Sequence, residues 1–260
     1  MSDPVLIVDT SDPQIALVTL NRPDKRNALS IELIEQITRA VAEQSKDLMR
    51  RVIILRGNGP SFCAGLDLKE ASDPKNAHRS AEALARMYLA IAQSPLVTIT
   101  AAHGAAMGGG AGLLAACDLV VAGDDLKISY PEVKRGLIAA LVTCLLRRQL
   151  SDRAVRELIL LGQTVDAAHA LQRGLITRIA PTGQLDTQTT DLAREACAGA
   201  PGAISRTKQL LDSLSARTIA EDLKIALEFH LAARKSTEAA EGITAFKEKR
   251  APRWGNRPVD

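Results

Sequence analysis

Aromatic side chains are scarce in this chain, only 2% of 260 residues: one tryptophan, two tyrosines and three phenylalanines. Stacking platforms for single-stranded nucleic acid are therefore nearly absent. An excess of one charge is lacking too, since 33 basic and 30 acidic residues leave a net charge of +3 with no basic arm or dense patch. Neither nucleic acid nor a membrane surface is expected as a partner. No apolar run reaches membrane-spanning length, and the start, Met1 to Asp9, lacks the basic and long apolar segments of a signal peptide, so a cytoplasmic protein is the expectation. Cys63, Cys117, Cys144 and Cys197 are widely separated, with no Cys-x-x-Cys pair and no histidine at ligand spacing. They read as small hydrophobes rather than as a zinc site or a disulfide framework. Neither Gly-x-x-x-x-Gly-Lys-Ser/Thr nor Gly-x-Gly-x-x-Gly occurs, which sets nucleotide-phosphate loops aside.

What the chain does have is glycine concentrated in two turns that each follow a buried strand. The first is Gly57-Asn-Gly-Pro-Ser-Phe-Cys-Ala-Gly-Leu-Asp67, after the apolar run Arg51 to Arg56. The second, His103 to Leu113, holds three successive glycines after Pro95 to Ala102 and leads into a helix N-terminus, with a further strand read within Leu114 to Ala122. Glycine permits positive φ and close approach, and the free N–H groups at a helix start point outward with partial positive charge. Such turns can hold an anion or a developing oxyanion, or can simply turn the chain.

Around these turns strand and helix alternate. Ile15 to Leu20 is a short strand ended by the proline-containing turn Asn21 to Asn27. Ser30 caps a helix marked by Ile31, Ile34, Ile37 and Val41. Residues Asp73 to Ser80 read as a polar loop, and Leu84, Met87, Tyr88 and Ile91 mark the next helix. Asp118 to Ala122 and Ile128 to Glu132 read as extended segments, Ala139 to Leu150, Ser151 to Leu161 and Asp166 to Gln172 as helices, and Ile176 to Ala180 as a last strand. Beyond about Thr187 every apolar segment has helical period. The alternation implies an α/β layer structure.

The pieces Asn21-Arg-Pro with Asn27-Ala-Leu29, Phe62-Cys-Ala-Gly-Leu-Asp67, His103-Gly with Gly108-Gly-Gly110, Cys117-Asp118, Pro131-Glu132, Gly174-Leu-Ile176 with Pro181, and Ala245 to Pro252 occur in one order across almost the whole chain. That ordered set resembles the crotonase superfamily, the enoyl-CoA hydratase/isomerase family. The resemblance implies an α/β fold, a crotonase-like spiral of repeated ββα units over residues 1–195, followed by a helical oligomerisation segment over 196–260 that packs on a neighbouring subunit. It also implies a homotrimer or a dimer of trimers acting on an acyl-coenzyme A thioester, with no cofactor beyond that substrate. By the same resemblance the thioester oxygen is held by Leu66 N–H and Gly109 N–H, and coenzyme A by Lys25, Arg26 and Ala28, by Ala64, Gly65, Leu66, Asp67 and Leu68, and by Phe246 and Lys249.

One departure bears on mechanism. Family hydratases clamp water between two glutamates; the second corresponds here to Glu132, but the first corresponds to Gly112. Glycine has no proton to move. A single acid/base at Glu132 beside an oxyanion hole matches the family's Δ3-Δ2 enoyl-CoA isomerases, and a glutamate returned to position 112 is expected to raise hydration. Glu70, Asp73 and Tyr130 remain alternatives for a second group, and an unusually arranged hydratase, a non-catalytic acyl-CoA-binding homologue or a scaffold with disused loops remain alternatives for the whole.

Overall fold

The computed structural model describes residues 3–71 and 73–254. The chain begins with an antiparallel pair, β1 (Leu6–Asp9) and β2 (Ile15–Leu20), in register from Leu6 opposite Leu20. β1 escapes periodicity because it is a four-residue edge strand with Ile7 and Val8 exposed. Ser30 then caps α1 (Ile31–Gln44), its hydroxyl accepting from Leu33 N–H, and α1 buries the expected stripe of Ile34, Ile37 and Val41. β3 (Val52–Gly57) runs parallel to β2 and has the continuous apolar character of a strand covered on both faces.

After β3 come α2 (Leu68–Ala71) and α3 (Pro74–Ala92). The polar stretch expected as a loop is the start of α3: Asp73 Oδ1 accepts from Lys75 N–H at 2.9 Å. A cap and first turns with few apolar residues form a helix that hydrophobic periodicity does not reveal. β4 (Val97–Ala102) is buried throughout and is followed by β5 (Ala105–Met107) and α4 (Gly109–Ala116). Next come β6 (Leu119–Gly123), β7 (Lys127–Ser129), a 3-10 turn over Pro131–Arg135 and α5 (Ala140–Gln149). The strand read within 114–122 is thus shorter, because α4 continues to Ala116 before β6 starts. α6 (Asp152–Leu161) is capped by Ser151 and ends at Gly162 in the left-handed region. β8 (Thr164–Asp166), α7 (Ala167–Gln172, capped by Asp166) and β9 (Arg178–Ala180) follow.

The main sheet has the order β1-β2-β3-β4-β6-β9 and is parallel apart from the β1–β2 pair; a smaller sheet has the order β5-β7-β8. Two isolated parallel bridges, Cys63 with Ala106 and Leu29 with Leu66, extend the smaller sheet toward the start of the chain. Successive turns of chain therefore each give one strand to the large sheet, a short strand or bridge to the small one, and a helix: β3, Cys63 and α3; β4, β5 and α4; β6, β7 and α5. This is the expected spiral of ββα units.

The remaining described residues are helical: α8 (Leu185–Cys197), α9 (Pro201–Ser213), α10 (Ile219–Arg234) and α11 (Thr237–Lys247). The division at 195/196 falls near the end of α8, and residues 1–2 and 255–260 lie outside the described residues. On α10, Leu223 and Ala226 are buried within the chain, where the helix packs on α5 and α3, while Leu227, His230 and Leu231 stay partly exposed. α11 packs on the 3-10 turn so closely that a Cβ on Gly242 would lie 2.3 Å from the Arg135 carbonyl. Among the described residues no helix is long and apolar enough to cross a membrane.

Candidate active site

The two glycine turns meet through the smaller sheet. Cys63 N–H donates to Ala105 O and Met107 N–H to Cys63 O, both at 3.0 Å, which closes the parallel bridge between Cys63 and Ala106. Parallel strands preserve equal offsets, so Leu66 and Gly109, each three residues past its bridge partner, are brought side by side. A Cβ built on Gly109 would lie 3.7 Å from Leu66 Cγ, and one on Gly65 would lie 3.6 Å from Gly109 N. Gly65 has φ +91° and its Cβ would strike Met107 O at 2.6 Å; Gly108 has φ +49° and its Cβ would reach Glu132 Oε1 at 2.9 Å. Glycine alone satisfies both the dihedral and the space. Among the described residues neither Leu66 N–H nor Gly109 N–H has an acceptor. Gly109 also opens α4, where the unpaired N–H groups carry partial positive charge. A carbonyl oxygen set between the two amides would gain two donors as negative charge grows on it.

The strip beside them is built by a bend at Arg26 and Asn27, whose φ values are 50° and 53°. Asn27 is fully buried and holds the bend: its Oδ1 accepts from Arg22 N–H at 2.8 Å, and its Nδ2 donates to Asn58 O at 2.9 Å and Ser61 O at 2.8 Å. Asparagine suits the position because it tolerates left-handed backbone and carries both donors and an acceptor. The bend lays residues 26–29 along the first glycine turn through Ala64 N–H to Arg26 O at 2.9 Å, Leu29 N–H to Gly65 O at 2.8 Å and Asp67 N–H to Leu29 O at 3.0 Å. Arg22 closes the end of the strip, pairing with Asp67 at 3.0 Å and donating to Ala28 O.

Ala28, Ala64, Gly65, Leu66, Asp67 and Leu68 are thus brought into one strip. Lys25 and Arg26 stand exposed at its edge, Lys25 within 3.6 Å of Asp24. Phe246 of α11 lies against the segment that carries Glu132, with the Arg135 guanidinium 4.2 Å from the centre of its ring; among the described residues no hydrogen bond ties it to the strip. Lys249 is exposed, and among the described residues no hydrogen bond or ion pair ties its side chain to the strip; its backbone N–H donates to Phe246 O.

Glu132 arrives on the 3-10 turn after β7, and Gly108 N–H to Ser129 O at 2.8 Å fastens the start of that turn to the glycine triplet. Its Oε1 lies against Gly108, while Oε2 is buried without a hydrogen-bond partner among the described residues. Burial raises the carboxyl from 4.5 to about 6, opposed by the residue's own backbone N–H and by the nearby Arg135 charge. A carboxylate so placed can both take and return a proton near neutral pH.

To act as a base, Glu132 would have to be ionised. The expected kcat/KM therefore falls as pH drops through about 6 and levels off above it. The effect on stability has the opposite sign, because the folded-state value lies above the unfolded one: the group's contribution is present below about 4.5 and is lost as pH rises through about 6. The displacement corresponds to about 2 kcal/mol. A pH–rate profile that stays flat between about pH 5 and about pH 7 would exclude Glu132 as the base.

The atoms nearest to position 112 belong to Tyr88 and Val142. A Cβ there would lie 2.2 Å from Tyr88 Oη, 2.6 Å from Tyr88 Cζ and 3.0 Å from Val142 Cγ2. The other candidates for a second group are committed elsewhere: Glu70 Oε2 accepts from Ile31 N–H at 2.8 Å, Asp73 caps α3, and the buried Tyr130 hydroxyl donates to Ala111 O at 3.4 Å. Nothing in the sequence singles out Arg22 or Arg135 as site residues, and Tyr88 reads there only as a core position. The available signal was a tyrosine on a buried stripe, whose hydroxyl needs a partner. Cys63 belongs to the framework, its thiol buried, pushed up to about 12 by burial, and donating to Asn27 O at 3.1 Å.

Two backbone N–H groups without acceptors among the described residues lie side by side near one buried carboxylate, on a spiral of ββα units. Residues 10–257 match the family described as Enoyl-CoA hydratase/isomerase, and the chain belongs to it as an acyl-CoA enzyme. It is 35% identical over 254 residues to a Thermus thermophilus protein whose name proposes it as an enoyl-CoA hydratase, a match that spans 95% of this chain and 100% of that one. The fold is similar to the crystal structure of an enoyl-CoA hydratase from Mycobacterium avium, with a TM-score of 0.85 and 33% identity over 96% of this chain and 99% of that one. It is also similar to a carnitinyl-CoA hydratase from the same organism, with a TM-score of 0.86 and 30% identity over 98% of this chain and 100% of that one.

Proposed function

We propose that this protein isomerises enoyl-CoA thioesters, with Glu132 as its single acid/base and Leu66 N–H and Gly109 N–H as its oxyanion donors. The observation that carries the proposal is the buried carboxylate oxygen of Glu132, unpartnered among the described residues, near two amides that likewise have no acceptor there, with glycine at 112. In a 3-enoyl thioester Glu132 takes a proton from C2, and the electron pair of that C–H bond moves onto the thioester oxygen between the two amides. The resulting dienolate takes the proton back from Glu132 at C4, leaving the double bond between C2 and C3 and regenerating the carboxylate. No atom is gained or lost and no cofactor takes part. The strip from Ala28 to Leu68, with Lys25, Arg26, Phe246 and Lys249, is proposed to hold the coenzyme A portion.

A second reading, hydration of 2-enoyl-CoA, is favoured by the names of the relatives. Incubation with 3-enoyl-CoA and 2-enoyl-CoA, with products identified by mass and absorbance, separates the two: a mass gain of one water from the 2-enoyl substrate without interconversion of the isomers would overturn the isomerase proposal.

The proposal extends to assembly as a trimer or a pair of trimers, supported by the exposed Leu210, Leu211 and Leu214 at α9 and Phe229 on α10. A monodisperse monomer in light scattering at about micromolar concentration would contradict it.

A further inference from the structure

Tyr88 belongs to α3, but its phenol ends beside the first turn of α4. The residue is fully buried, and its hydroxyl donates to Gly109 O at 2.6 Å. The same oxygen stands 3.5 Å from where a Cβ of Gly109 would be and 2.2 Å from where a Cβ of Gly112 would be. It therefore lies over the face of α4 that carries the oxyanion amide and position 112. The ring has little freedom to retreat, since it is fully buried in the same core as Leu84, Met87 and Ile91 of its own helix and close-packed interiors resist displacement of a large side chain.

We infer that Tyr88 is the specificity-determining residue of this site: its phenol occupies the volume that a carboxylate at position 112 would need, so the pocket admits one acid/base and has no second anchor for water. The inference rests on the single-base proposal above. Tyr88 does not replace the missing carboxylate. Burial raises its hydroxyl well above the ordinary phenol range, reinforced by Cys63 and Glu132, so it stays protonated and acts as a donor. A neutral phenol already donating to Gly109 O cannot draw a proton from water. Glycine at 112 and tyrosine at 88 are accordingly one device, and restoring glutamate at 112 alone does not restore hydration, contrary to what the sequence suggests.

The test uses the full chain in four forms, wild type, Gly112→Glu, Tyr88→Leu and the double variant, each assayed with a 2-enoyl-CoA for hydration and a 3-enoyl-CoA for isomerisation. Leucine keeps apolar packing on α3 while vacating the positions of Cζ and Oη. Gly112→Glu alone is expected to melt at lower temperature and to hydrate no faster than wild type. The double variant is expected to hydrate at least tenfold faster than either single variant, a change in the ratio of products that a merely structural role for Tyr88 does not produce. A tenfold gain in Gly112→Glu with Tyr88 intact, or a folded double variant without gain, would overturn the inference.

If the double variant does not fold, the milder pair Gly112→Ala and Tyr88→Phe decides. Gly112→Ala is expected to lower the melting temperature less when the hydroxyl at 88 is absent, and an equal drop in both backgrounds overturns the contact. Glu132→Gln serves as the separate control, because undiminished isomerisation there defeats the single-base proposal whatever Tyr88 does.

Discussion

Glu132→Gln is expected to lower exchange of the substrate's α- and γ-protons, and with it double-bond movement, by about 10²- to 10⁴-fold. The amide keeps the shape of the carboxyl group but cannot accept a proton. The same change is expected to leave the protein no less stable at pH 8, and more stable by up to about 2 kcal/mol, since it removes an ionised group whose burial raises its pKa to about 6. Deuterium incorporation followed by mass spectrometry measures the first effect, and chemical denaturation at pH 8 the second. Activity lost together with stability kept distinguishes a missing base from a damaged fold. Deuterium entering the substrate at the wild-type rate would mean that another residue carries the proton, and the mechanism would have to be withdrawn.

Gly109→Pro is expected to reduce turnover by about 10²- to 10³-fold, the usual consequence of losing one oxyanion donor. The cost to folding is limited at this position, although proline also constrains Gly108 before it, whose φ is 49° and ψ −121°. Gly109 is the first residue of α4, and its N–H has no acceptor among the described residues, so proline there breaks no helical hydrogen bond. Its ring carbon takes the place of the hydrogen that would meet the thioester oxygen, so the loss falls on kcat more than on stability. Circular dichroism and steady-state kinetics together check the outcome: a folded variant with wild-type turnover removes Gly109 from the oxyanion site.

Much of this arrangement is legible in the sequence because it is local. β2, β3 and β4 read directly as strands, since strands covered on both faces are continuously apolar. Ser30, Ser151 and Asp166 announce their helices because a cap acts on the next turn of the chain. β1, β5 and β8 are too short to show a period, and they exist because neighbouring strands supply their partners. The polar start of α3 and the tasks of Glu70 and Asp73 as helix caps were hidden for a related reason, since their partners rather than their own character give them a role.

The sequence by itself determined the family, the alternation of strand and helix, the two glycine turns, the lone glutamate at 132 and the glycine where a second would be expected. Tertiary structure decided that Leu66 and Gly109 lie side by side, because a single bridge between Cys63 and Ala106 sets the offset of two segments far apart in the chain. It also decided what fills the space at Gly112. Tyr88 reaches it only because α3 packs on α4, and the distance between side chains on different helices follows from how the helices cross, which no spacing along the chain records.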